Sequence, residues 1–158
     1  MNPSNKPLAN DHKFYLPVGL PIPVAEPDGL SAPYWNGLRD NRLMVQRCKA
    51  CATWQFAPEW ICHRCHQFDP DWVQVEPKGR IFSWERSWHP VHPCLANRGP
   101  YLAVVVELPD AGNIRMLGNL LGAPTAPVEI GADVVGTFEH HLDAQPAFTL
   151  LQWKYAIG

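Results

Sequence analysis

The stretch that decides the fold runs from Cys48 to Cys65: Cys48-Lys49-Ala50-Cys51-Ala52-Thr53-Trp54-Gln55-Phe56-Ala57-Pro58-Glu59-Trp60-Ile61-Cys62-His63-Arg64-Cys65. It holds two Cys-x-x-Cys pairs with ten residues, 52–61, between them. A Cys-x-x-Cys turn aims two thiolates from one tight loop, and two facing turns supply the tetrahedral sulfur set that zinc takes at about 2.3 Å. Four thiolates close the coordination sphere, so the spacing points to a structural zinc rather than a catalytic one. Iron in a rubredoxin-like site, a redox pair or disulfides are the other readings of the same spacing. Arg47, Lys49 and Arg64 are expected to offset the thiolate charge, and Trp54, Trp60 and Trp72 to pack around the metal. Between the pairs there is room for a hairpin, with one strand near Trp54–Ala57.

Working outward on the N-terminal side, Ser31 and Pro33 suit a helix start, and a helix is predicted from Ser31 or Ala32 to Leu43. Tyr34, Trp35, Leu38 and Leu43 would form its apolar stripes. Before it, seven of the 17 prolines fall in the first 33 residues. Proline lacks an N–H and fixes φ, so residues 1–30 read as an extended arm, either docked on this domain or a partner, or a loose tail. Leu20, Ile22 and Val24 make one side of it apolar.

Towards the C-terminus the period changes to two. Strands are predicted at Arg80–Trp88, Tyr101–Leu108, Ile114–Leu121, Val134–Leu142 and Phe148–Tyr155, with a Pro109–Asn113 turn making a hairpin of the second and third. Alternation would place Phe82, Trp84, Arg86 and Trp88 on one side. Five short antiparallel strands fit a small barrel, of OB or SH3-like type, because closure removes exposed edges. The expected organisation is an arm over 1–30, helix plus zinc ribbon over 31–76, and a barrel over 77–158.

Charge narrows the function classes. Among 158 residues, 13 Lys and Arg face 15 Asp and Glu, a net charge of −2. A nucleic-acid groove needs clustered cations, so a single-stranded nucleic-acid module, stacking bases on Trp84 and Trp88, is disfavoured. No apolar run approaches the roughly 20 residues of a membrane helix. Residues 1–13 contain no apolar h-region, so a cytoplasmic chain is expected. No phosphate loop, nucleophile elbow or convincing carboxylate pair is present, so no catalytic residue is assigned.

The order of these pieces resembles the zinc-ribbon/OB-fold family of thiolase-associated accessory proteins, long catalogued as a domain of unknown function. The resemblance spans roughly residues 30–158. It rests on Tyr34-Trp35, Leu43 to Gln46, Cys48 and Cys51, Pro58, Cys62 and Cys65, Trp72, Gly79, Pro100-Tyr101 and Ile130-Gly131. It departs where the family often has glycine after each second cysteine: here stand Ala52 and His66, and a distorted first knuckle is expected. What the resemblance implies is a mainly β fold of N-terminal helix, rubredoxin-like zinc ribbon and C-terminal five-stranded OB-fold barrel. The implied role is a non-catalytic subunit of a thiolase-like or acyl-CoA-processing enzyme, completing the acyl-CoA site and sharing a CoA thioester with the partner.

The long loop from His89 to Pro100 exceeds the usual four to six residues and is a candidate contact for partner or acyl-CoA, through His89, His92 and Arg98. Trp35 on the helix is a second contact candidate. Cys94 with a nearby histidine could be a nucleophile with its base, but no third, orienting residue is evident. A stand-alone acyl-CoA-binding protein, using Lys78, Arg80, Arg86 and Arg98 on phosphates, is the competing class; homodimerisation is a further possibility.

Overall fold

The computed structural model describes residues 14–157 apart from position 97. The expectation for residues 1–13 of the arm lies outside them. After the arm come α1 (Ala32–Arg39), β1 (Leu43–Arg47), β2 (Trp54–Gln55) and β3 (Asp71–Val75). Then follow β4 (Lys78–Ser87), β5 (Tyr101–Leu108), β6 (Ile114–Asn119), β7 (Asp133–His141) and β8 (Phe148–Tyr155).

The helix is shorter than predicted. Asn41 adopts a left-handed φ of 58°. The Asn41 and Arg42 amides donate back to the carbonyls of Leu38 (3.1 Å) and Gly37 (2.8 Å). That pair of bonds satisfies carbonyls the helix leaves open and turns the chain out of it, with asparagine standing where glycine is commoner. Leu43 therefore begins β1 instead of ending α1. Ser31 occupies the N-cap position but makes no side-chain cap.

Two sheets follow. β2, β1 and β3 form a three-stranded antiparallel ribbon in the order β2-β1-β3. β3 was not expected from the sequence; it pairs with β1 from Leu43–Val75 to Arg47–Asp71. The other five strands are ordered β6-β5-β4-β7-β8. β6 returns to β8 through a parallel bridge, Leu120 to Trp153, so the sheet is a nearly closed barrel. This is the OB topology, in which the long first strand curves to pair on both sides. Here β4 pairs with β7 at Lys78–Arg80 and with β5 from Arg80 to Ser87.

A register shift between Ile81 and Ser83 breaks the alternation expected in β4. Such a bulge increases local bend, as a strand serving two neighbours requires. It turns Phe82 outward, with the Arg115 guanidinium 3.4 Å over its ring. Trp88 lies beyond the strand and is exposed, so Trp84 and Trp88 do not form a shared platform. One hydrophobic cluster runs through all three parts: Leu38 of α1, Leu43, Val45 and Val75 of the ribbon, and Ile81, Val104, Met116, Val134, Leu151 and Trp153 of the barrel. Trp54 of β2 lies against the β5–β6 turn at Gly112, whose φ is 66°. A Cβ there would come within 2.7 Å of the indole, so both the backbone and the contact require glycine.

Candidate metal centre and surrounding surfaces

The two knuckles share one geometry. Cys48 N–H donates to Thr53 O (2.8 Å) and Ala52 N–H to Cys48 O (2.9 Å); Cys62 N–H donates to Gln67 O (2.9 Å) and His66 N–H to Cys62 O (2.9 Å). Ala52 and His66 take φ of 57° and 59°. The first knuckle is not distorted relative to the second: alanine is held in the left-handed region by the same bonds.

The four sulfurs lie within 4.8 Å of one another. Cys48 and Cys65 sulfurs are 3.5 Å apart, and those of Cys51 and Cys62 are 3.7 Å apart. A tetrahedron with bonds of about 2.3 Å has edges of about 3.8 Å, so an all-thiol set at these separations fits zinc. Backbone groups already face the sulfurs: Cys51 N–H towards Cys48 Sγ at 3.5 Å and Arg64 N–H towards Cys62 Sγ at 3.4 Å. The hydroxyl and then the amide of Thr53 pull the Cys51 thiol down to about 6. The Cys65 amide is the main cause lowering Cys62. For Cys65 the Gln67 amide acts downward, but the sulfurs of Cys51 and Cys48 outweigh it and push that thiol up to about 12. The quartet thus favours thiolate at some positions and retains protons at others until a cation replaces them.

Two of the three neighbouring cations, Lys49 and Arg47, are engaged elsewhere. Lys49 pairs with Asp71 at 3.3 Å. Arg47 lies over Trp54 and donates to Ala52 O. Direct contacts to sulfur come from backbone N–H groups and from the Thr53 hydroxyl, 3.2 Å from Cys51 Sγ. Of the three tryptophans expected around the metal, Trp54 and Trp72 are half-buried, while Trp60 is 49% exposed.

Two glutamines the sequence did not single out hold the loop between the knuckles. Gln46 is 2% exposed, and its Oε1 accepts from Gln55 Nε2 and from Glu59 N–H, both at 2.9 Å. Gln55 in turn reaches Ile61 O (3.4 Å), and its Oε1 accepts from His63 N–H (3.4 Å). The pair spans β1, β2 and the approach to the second knuckle. Neither has a signal in the hydrophobic pattern, since Val45 and Gln46 are adjacent and both buried.

The remaining candidates are scattered. Trp35 is half-buried, edge-on to Tyr34 at 5.3 Å and packed on the core. His89 and Arg98 are exposed on the 88–100 loop. His92 caps the short turn Pro93–Leu95, its Nδ1 accepting the Cys94 amide at 3.2 Å. That ring nitrogen serves the backbone rather than the Cys94 thiol. The arm, by contrast, is docked on the barrel: Tyr15 N–H donates to Glu139 Oε2, and Leu102 N–H donates to the Tyr15 hydroxyl.

A four-cysteine ribbon sharing one core with an OB barrel defines a zinc-ribbon/OB-fold protein. The chain matches the ChsH2 rubredoxin-like zinc ribbon domain over residues 35–71 and the ChsH2 C-terminal OB-fold domain over residues 72–139. It belongs to the ChsH2 family, whose solved neighbours include DUF35 proteins. One neighbour is a chain of the "Ltp2-ChsH2(DUF35) aldolase", 32% identical, TM-score 0.71, covering 86% of this chain and 100% of that one. A DUF35 protein of unknown function from Sulfolobus solfataricus, 17% identical with TM-score 0.52, covers 80% of this chain and 85% of its own, and shares the fold. Two curated relatives are a probable enoyl-CoA hydratase alpha subunit of Thermomonospora curvata, 34% identical over 96% of this chain, and the 3-oxo-4,17-pregnadiene-20-carboxyl-CoA hydratase alpha subunit of Mycobacterium tuberculosis, 27% identical over 89%. The chain spans 45% and 46% of their lengths.

Proposed function

We infer that this chain is a non-catalytic accessory subunit of a thiolase-like, acyl-CoA-processing enzyme of the cytoplasm. The observation that carries the reading is the match along the whole ChsH2(DUF35) chain of an aldolase named for two components. The CoA hydratase alpha subunits, themselves named as parts of larger enzymes, support the same class. In this reading Cys48, Cys51, Cys62 and Cys65 hold one structural zinc, and the zinc fixes the ribbon against β4 and the barrel. The bond-forming residues belong to the partner. Trp35, His89, His92 and Arg98 are the contacts to partner or CoA thioester, and the loop bearing the last three is the more accessible.

The test is affinity capture of the tagged chain from its source cells, followed by acyl-CoA assay of the retained complex. A stoichiometric acyl-CoA enzyme, inactive or unstable without this chain, is the expected result. Full activity of that enzyme alone, or tight CoA binding by the isolated chain with nothing captured, would move the function to a stand-alone CoA binder.

A further inference from the structure

Gln46 stands opposite Trp72 in the β1–β3 ladder, so their side chains share one face of the ribbon. Just before Trp72, the Asp69 amide donates to Trp60 O at 3.2 Å and ties the two ends of the second knuckle together. Asp69 takes a left-handed φ of 56°, and Pro70 then leads into β3. These turns leave a cleft of about 210 Å³ between the ribbon and the start of α1. Trp60, Trp72, Pro33 and Pro70 line it together with Gln46 and Asp69. The volume is below the roughly 300–1,000 Å³ of a pocket for a drug-sized ligand, and it has room for a ring or two.

Three features of the lining are unused by the fold. Trp60 is 49% exposed although it flanks the metal loop. Among the described residues, neither its ring nor that of Trp72 stacks on another, and neither indole N–H has an acceptor. Gln46 is 2% exposed, and its Oε1 is taken by Gln55 Nε2 and the Glu59 amide. Its Nε2 has no partner among the described residues. The unpartnered side-chain atoms sealed from solvent are Thr137 Oγ1, Gln152 Nε2 and Trp153 Nε1, so Gln46 Nε2 is open, on the cleft that its residue lines. A free donor on a side chain otherwise buried marks a place for an acceptor. The Asp69 carboxylate also has no hydrogen bond or ion pair among the described residues, and no cation lines the cleft.

This set of groups selects a ligand. Three donors beside one carboxylate suit a chain rich in carbonyls and poor in N–H groups. A proline-rich segment in the polyproline II helix has that character, since proline lacks the N–H and the carbonyls stay free. Its rings pack on aromatic walls. The carboxylate adds a preference for a cation beside the prolines. The chain's own proline-rich stretch, 17–27, carries Glu26 and no Lys or Arg, so it lacks the charge that Asp69 selects. A small ammonium ion would use the indoles and Asp69 but leave Gln46 Nε2 without an acceptor.

We propose that this cleft binds a proline-rich segment of a partner protein in polyproline II form. A proline ring lies against the Trp60 and Trp72 indoles, a peptide carbonyl accepts from Gln46 Nε2, and an Arg or Lys of the segment meets Asp69. The proposal is independent of the accessory-subunit reading and of the contacts named there.

The test titrates the zinc-loaded full chain, nitrogen-labelled, with the peptide Ac-Pro-Pro-Leu-Pro-Pro-Arg-amide and follows the indole N–H signals by NMR. Saturable shifts of Trp60 and Trp72 are expected. Trp60→Ala weakens binding at least about tenfold, as loss of an aromatic anchor does. Asp69→Asn, a residue that tolerates the left-handed backbone, weakens it about two- to fivefold, and so does Glu in place of the peptide Arg. Zinc content and Tm of both variants match the parent. No saturable shift at millimolar peptide overturns the proposal, as does binding unaltered by Trp60→Ala. The parent spectrum decides even if that variant loses zinc, because shifts confined to other indoles place the peptide elsewhere. Equal affinity for a peptide of residues 17–27 moves the occupant to a second copy of this chain, and shifts by tetramethylammonium without any by the peptide make the cleft an ammonium site; each of these refutes the partner segment.

Discussion

Replacing Gln46 with leucine removes one acceptor and leaves two donors without it. Glu59 N–H loses its bond to Gln46 Oε1, and Gln55 Nε2 keeps only the longer contacts to Glu59 O and Ile61 O at 3.5 and 3.4 Å. A fully buried orphan costs about 1–3 kcal/mol. Glu59 N–H is part-buried and Gln55 has fallbacks, which lowers the sum, and leucine returns some apolar burial. The net loss is about 2 kcal/mol. It falls on the loop that sets the second cysteine pair against the first, so it is felt as a weaker metal site: about 30-fold in zinc affinity, together with about 4–8 °C in Tm. Competition against a chromophoric chelator reads the first and thermal unfolding the second. Replacing both glutamines with leucine is expected to cost less than the two single changes added together, because each single change strands its partner. Unchanged chelator competition by Gln46→Leu would refute the reasoning and leave the glutamines as fillers.

Further expectations concern metal, pH and packing. Metal analysis of protein purified without chelator gives one zinc per chain, and Cys48→Ala gives none, with an aggregation-prone product. Tyr34 is largely buried, which pushes its phenol up to about 12 from 10.0. A raised folded value means the unfolded chain ionises first, so stability is intact below pH 10 and falls between about pH 10 and 12, by roughly 2–3 kcal/mol; Tyr34→Phe removes that slope in alkaline denaturation. At the barrel seam a Cβ on Gly118 would sit 2.7 Å from Trp153 Cδ1 and 3.1 Å from Leu151 O. Gly118→Ala therefore costs about 1–3 kcal/mol by chemical denaturation.

The cysteine quartet and the five barrel strands were legible because each has a short, local code: a two-residue spacing for the sulfurs, alternation or an unbroken apolar run for the strands. What escaped depends on partners distant in sequence. The end of α1 was hidden because Asn41 takes the place usually marked by glycine. β3 was hidden because Asp71-Trp72-Val73-Gln74-Val75 carries little apolar alternation, and its pairing to β1 across the ribbon makes it a strand. The bulge at Phe82 put that ring out of phase with Trp84 and Arg86, and β4 ends at Ser87, which leaves Trp88 beyond the strand and not paired with Trp84. Gln46 and Gln55 are polar residues in buried positions, and only the folded loop shows what they bind. The arm was read as extended and able to dock; its partners Glu139, His141 and Leu102 lie more than 80 residues away.

The barrel's two seams have a bearing on how the chain acquires its shape. β4, β5 and β6 are a meander, and β7 and β8 a hairpin; each can assemble from neighbours in sequence. The ladders that join the pieces are short: three residue pairs on one side, Lys78–Arg80 with Asp133–Val135, and a bridge between Leu120 and Trp153 on the other, flanked by single bonds such as Ile81 N–H to Ala132 O and Leu121 N–H to Trp153 O. Both junctions close long loops, and such closures carry the largest entropic delay. The meander and the hairpin should thus form early and join late, and amides at the junctions should open to exchange before those within either piece.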